Sequence, residues 1–129
     1  MNAASLRMRS KQFALRIIQL FRQLPKTDDA RIIGKQLLRS ATSVGANYRA
    51  ACRARSQAEF FSKMSIVVEE ADETLFWLEL LTEAGIVSEA NNQPIYKEAQ
   101  ELLFIFSASR KTAKSNLKVT VECSLPKQP

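Results

Sequence analysis

Between Ser56 and Gly85 the chain carries a long run of apolar residues at helical spacing, with a start and a stop written at its ends. Met64, Val68, Ala71, Leu75, Leu78 and Leu81 or Thr82 recur close to a heptad rhythm. Ser56 is a good N-cap, and Glu59 stands three residues later to complete a capping box. Gly85 suits the C′ position, where a left-handed backbone closes a helix. The spacing predicts a helix over 57–84. Phe60, Phe61, Val67 and Trp77 widen its apolar surface beyond a coiled-coil seam.

Three further helices follow from similar punctuation. Phe13, Ile17, Leu20 and Leu24 mark one stripe over 10–24, which Phe21 broadens and Pro25 ends. Asp28 or Asp29 can cap the next helix, over 30–54, where Ile33, Leu37, Val44, Tyr48 and Ala51 share a side with Cys52 at its edge. Its middle, from Ser40 to Asn47, is rich in small residues and poor helix formers, so a break is one reading. The other is a continuous helix whose small residues admit a close neighbour. Apolar spacing persists on both sides and no proline intervenes, which predicts continuity. Asn91 or Asn92 opens a last helix to about residue 117, with Ile95, Ala99, Leu102, Phe106 and Ala113 inside and Leu103 and Ile105 adding width. From Lys118 onward the chain reads as a frayed tail, and the strand-like alternation of VTVEC has no partner. Short loops between four helices predict an all-α, antiparallel up-down-up-down bundle. A single domain over 1–129 is expected, with flexible termini at about 1–9 and 118–129.

Composition narrows function by exclusion. The 129 residues include 46% hydrophobic residues, 3 Gly and 4 Pro, which suits one globular domain with its own core. No His is present, so Ser-His-Asp and Cys-His catalysis are excluded and zinc or iron sites lose their commonest ligand. No nucleophile–base pair is visible, and the chain is expected not to be an enzyme and to need no cofactor or metal. Glu69, Glu70, Asp72 and Glu73 form an acidic cluster, but a di-metal bundle would need inward Glu-x-x-His motifs. Cys52 and Cys123 read as two thiols rather than a disulfide. The N-terminus has no secretory pattern, and no apolar run reaches the roughly 20 residues of a membrane span. A cytoplasmic location without membrane contact is expected.

Charge is distributed in blocks. Residues 1–55 hold 12 Lys/Arg against 2 acids, and residues 56–101 hold 2 Lys against 10 acids. Arg39, Arg49, Arg53 and Arg55, with Arg31 and Lys35 upstream, make the second helix basic. Guanidinium groups can each donate to two phosphate oxygens, so such a stripe suits RNA or DNA backbone. Arg49 and Arg53 stand one turn apart and can instead pair with Glu69, Glu70, Asp72 or Glu73 on the third helix. Arg7, Arg9, Lys11, Arg16 and Arg22 on the first helix have no such built-in partner and are expected to stay free. Lys111, Lys114 and Lys118 could extend the basic surface. Ser40, Ser43 and Asn47 are expected to bond backbone at a close helix contact, and Trp77 and Tyr48 to serve core or interface rather than to stack bases.

The segment 36–81, QLLRSATSVGANYRAACRARSQAEFFSKMSIVVEEADETLFWLELL, resembles a bacterial four-helix-bundle family. That family includes proteins encoded by intervening sequences within 23S ribosomal RNA genes and accessory variability proteins of diversity-generating retroelements. The resemblance covers roughly residues 10–117. It is most specific in Gln36-Leu37-Leu38-Arg39-Ser40, Ser43-Val44-Gly45-Ala46-Asn47 and Glu70-Ala71-Asp72-Glu73-Thr74. Many relatives carry Asn-Ile-Ala-Glu-Gly after the small-residue stretch. Here Tyr48, Arg49, Ala50 and Ala51 follow Asn47, which places the chain in a variant branch. The resemblance implies a homopentamer, and by its retroelement members an accessory protein that binds nucleic acid and a reverse transcriptase. The expected function is therefore a non-catalytic homo-oligomeric bundle that binds nucleic acid. The alternative is a protein-only scaffold that recognises a partner through charged helix faces.

Overall fold

Asn2 sets the first boundary: its side-chain oxygen accepts from the Ser5 N–H at 2.8 Å and starts a helix well before Ser10. The computed structural model describes residues 1–124, with side chains to residue 118. Among these residues the architecture is all-α, with α1 (Ala3–Gln23), α2 (Asp28–Ala51), α3 (Gln57–Glu83) and α4 (Glu89–Ser124).

Several boundaries differ from the sequence reading: α2 ends at Ala51 rather than 54, and α4 opens at Glu89 rather than at Asn91 or Asn92, with Ser88 Oγ accepting from Asn91 N–H at 3.2 Å. Residues 3–9, expected within a flexible terminus, are helical, and Leu6 in that turn is buried. Residues 118–124 continue α4 where a frayed tail was expected, so helical hydrogen bonding overrides the β-branched character of VTVEC. Cys123 lies in this stretch, but its side chain is outside the described residues, as are residues 125–129 altogether; Cys52 is a free thiol.

The predicted capping box is present. Ser56 Oγ accepts from Glu59 N–H at 3.0 Å, while the Glu59 carboxylate reaches back to the N–H of Arg55 at 3.2 Å. At the other end Gly85 has φ of +74°, its N–H bonds the Thr82 carbonyl, and Ile86 N–H bonds the Leu81 carbonyl. These are the two bonds of a Schellman stop. The cap of α2 differs from expectation. Thr27 is the N-cap, and Asp29 lies in the first turn, accepting from Thr27 Oγ1 at 2.7 Å and from Ala30 N–H at 2.8 Å. Those two donors hold its carboxyl below the usual range, Thr27 most of all.

Each helix packs on its sequence neighbours, and α1 also touches α4 over a short stretch, so the helices close a four-membered ring. The directions alternate. Gly34 of α2 faces Phe21 and Leu24 near the end of α1, whereas Gly45 faces Ser10 near its start. Likewise Arg110 of α4 bonds Ser65 of α3, and Tyr96 bonds Glu79. The core between the layers holds Ile17, Leu37, Met64, Leu78, Leu102 and Phe106, all essentially inaccessible.

As expected, α2 is continuous through Ser40–Asn47. The poor helix formers are satisfied locally: Asn47 donates to the Ser43 carbonyl at 2.9 Å, and Ser40 to that of Leu37 at 3.2 Å. Ser40 also accepts from Thr74 Oγ1 at 2.9 Å, a buried hydroxyl pair that fixes the register of α2 on α3. Gly45 packs close to the α1 backbone, but an added Cβ would stand 3.5 Å from the Ser10 carbonyl oxygen, an ordinary contact, so the approach does not require glycine.

Candidate nucleic-acid interface

The cations of α1 divide according to the helix face they occupy. Arg9 turns inward to α4, where Nε donates to Glu98 at 2.7 Å and Nη2 donates to Glu98 at 2.6 Å and to Glu101 at 3.0 Å. The expectation that Arg9 stays free is therefore corrected. Residues 9 and 98 are remote in sequence, and only the closing of the bundle brings them together. Arg9 holds the Glu98 carboxyl below its ordinary range, and Glu98 raises the guanidinium in return. Arg16 is half-buried and adds to the field on the same carboxylate.

On α2, Arg39 forms the pairs expected of Arg49 and Arg53. It bonds Glu70 and Glu73, and its guanidinium lowers the Glu73 carboxyl. Arg49 and Arg53 make no ion pair among the described residues. The reason is register. In an antiparallel pair Arg39 lies opposite the middle of α3, whereas Arg49 and Arg53 lie near the loop, opposite the first turns of α3. There the only acid is Glu59, which is occupied at the cap. Glu69 is exposed and likewise unpaired among the described residues.

Arg49 and Arg53 instead face the α1 side. Together with Arg7 and Lys11 they line an open cleft of about 990 Å³ between α1 and α2. The rest of its wall is mostly small or apolar, including Met8, Ala14, Leu15, Gly45 and Ala46, with Gln12 and Thr42 as uncharged polar members, and no carboxylate lines it. Arg7, Lys11, Arg49 and Arg53 are exposed, so all four heads are available to an anionic ligand. Cys52 is also on the wall. Arg22 and Arg55 are exposed outside this cleft, at the far end of α1 and in the α2–α3 loop.

The aromatic residues divide clearly. Tyr48 is buried against Phe106 with ring centroids 4.9 Å apart, and burial pushes its phenol to about 12. It is a core residue with no access to bases. Trp77 is half-buried and donates its indole N–H to Glu73 at 3.2 Å. Among the described residues no group of three or more His, Cys, Asp or Glu converges as metal ligands would, and no helix is long and apolar enough to cross a membrane.

An elongated four-helix bundle with a cationic cleft on one helical hairpin is thus the class of protein that fold and surface define. Over residues 5–108 the chain matches the family described as 23S rRNA-intervening sequence protein. It is also similar to a crystal structure from Bacteroides thetaiotaomicron, a protein of unknown function in the S23 ribosomal protein family. The TM-score is 0.80 at 34% identity, covering 86% of this chain and 99% of that one. The curated proteins gave no match. The chain belongs to the 23S rRNA-intervening sequence protein family.

Proposed function

We propose that this protein is a non-catalytic bundle that binds RNA or DNA backbone through the α1–α2 cleft. The observation that carries this reading is the set of four exposed cations, Arg7, Lys11, Arg49 and Arg53, around a cleft without a carboxylate. Like charges gathered this way repel one another in the isolated chain, and a polyanion relieves that repulsion while releasing its own counterions. Contacts to phosphate carry no sequence information, so binding of this kind is expected to show little sequence preference. The resemblance to retroelement accessory proteins supports the same reading.

Fluorescence anisotropy with a labelled duplex at about 50 mM salt tests it. Replacing Arg7, Lys11, Arg49 and Arg53 with Ala is expected to weaken binding at least about tenfold, because each removes a phosphate contact. Equal binding by the variant, or no binding by the native chain, overturns the reading.

The protein-scaffold alternative draws on a different observation. Phe76 is 51% exposed and Phe104 76% exposed, on α3 and α4, away from the cationic cleft. Exposed aromatic side chains of this kind suit a protein contact, and self-association into a ring, a pentamer by resemblance, would cover them on every copy. Mass photometry checks this, with a monomer at micromolar concentration as the contrary result.

A further inference from the structure

The cationic surface does not stop at the cleft described above. Lys26, Arg31 and Lys35 line a second, smaller depression of about 180 Å³ at the other end of the α1–α2 hairpin. Lys35 and Arg53 are eighteen residues apart on α2, and so are Arg31 and Arg49. Eighteen residues are five full turns, so the members of each pair share one helix face about 27 Å apart. On α1, Lys11 and Arg22 are eleven residues apart, close to three turns, and share a face as well. The α1–α2 hairpin therefore carries two cationic pads on one side. Between them Leu15 is exposed, and Arg39, which stands between the pads on α2, is committed to Glu70 and Glu73.

The second pad is available. Lys26, Lys35 and Arg22 are exposed and make no ion pair among the described residues. Arg31 is engaged only with Asp28, at 3.7 Å and in solvent, which is worth little. Asp28 and Asp29 are the only acids in residues 1–55, and both sit in the first turn of α2. Asp29 is occupied by Thr27 and Ala30.

We infer that the two pads act together as a bipartite site that grips one stretch of duplex at two places. This rests on the nucleic-acid reading above and adds the ligand's form and minimum length. A spacing of about 27 Å corresponds to about 8 base pairs at 3.4 Å each. It is shorter than one turn of about 34 Å, within which both backbones cross the same face. Because α2 is continuous the spacing is fixed, and a duplex is stiff over this length, so one rigid spacing meets another. A single strand gripped in a cleft is held largely by stacking on aromatic rings. The strongly exposed rings here, Phe76 and Phe104, lie on the other two helices.

The test uses hairpin-capped duplexes of about 4 and about 14 base pairs; the first, about 14 Å long, falls short of the rise of about 16 Å from Lys11 to Arg22, and the second spans both pads. Anisotropy is measured on the full chain in low salt. The longer duplex is expected to bind about 100-fold more tightly, the low end of the gain from linking two contacts. In a variant with Arg22→Ala, Lys26→Ala and Lys35→Ala, the longer duplex should fall to within about twofold of the shorter one, whose binding should barely change. A control with Lys63→Ala, Lys111→Ala and Lys114→Ala removes the same charge elsewhere and should keep the length dependence; circular dichroism verifies that both variants fold. Binding of both duplexes with no gain from length overturns the bipartite site and leaves the single-cleft reading standing. A gain that survives loss of Arg22, Lys26 and Lys35 does the same. Equal gain for a single strand of the same length overturns the duplex assignment. If neither duplex binds the native chain, the reading on which the inference rests fails with it.

Discussion

Gly34 and Gly45 occupy the same helix and the same inter-helix contact, yet they carry different constraints. A Cβ on Gly34 would lie 2.6 Å from Leu24 Cδ1 and 3.1 Å from the Phe21 ring, so both side chains would have to move. Overpacking of this kind costs about 1–3 kcal/mol, whereas Ala in place of Gly returns about 1 kcal/mol in helix propensity. Gly34→Ala is therefore expected to lower the thermal midpoint. At Gly45 the nearest atom would be at ordinary contact distance, so Gly45→Ala should be neutral or stabilise by up to about 1 kcal/mol. Paired melts of the two variants check the contrast. At this scale the sequence is legible where a residue acts on its neighbours, as Asn47 does on Ser43. It is not legible where two distant residues meet. Nothing near Arg9 names Glu98, and nothing near Gly34 signals that Leu24 folds back on it.

Helix α3 was readable from end to end because both of its ends are closed by short-range chemistry. Ser56 and Glu59 make the start, Gly85 makes the stop, and neither depends on the rest of the bundle. Ser56→Ala leaves the Glu59 N–H without its side-chain acceptor and is expected to cost about 1 kcal/mol, measured by urea unfolding. The same logic explains the misplaced ends elsewhere. The unbroken apolar stripe of α1 begins at Phe13, but Leu6 is buried two turns earlier, with the polar Ser10 in the step between them masking the continuation. For α4 the apolar spacing of the sequence thins after Ala113, although the helix runs on to Ser124. The placement of Arg49 and Arg53 also belongs to this scale. Their common face was legible from their spacing, but whether it met α3 or α1 depended on the register set by Ser40 and Thr74.

Across the whole molecule, positive charge not used in pairing gathers on the α1–α2 side, while the ion pairs Arg9–Glu98 and Arg39–Glu73 help bind that hairpin to α3 and α4. Glu98 and Glu73 both have lowered folded-state values, chiefly through Arg9 and Arg39. A lowered carboxyl contributes stability above its unfolded value, about 4.3, and that contribution is lost as pH falls through the folded value. Stability should thus decline below about pH 4.5, and Arg9→Ala should flatten part of that decline while leaving nucleic-acid binding unchanged. Melts from pH 3 to 7 check the first part, and anisotropy the second. The central claim, that the four cleft cations contact phosphate, is tested most directly by the salt dependence of duplex affinity. Each lost contact removes about 0.9 from the slope of log affinity against log salt. Replacing Arg7, Lys11, Arg49 and Arg53 with Ala is expected to make that slope shallower by about 3 to 4, whereas an unchanged slope would contradict the account.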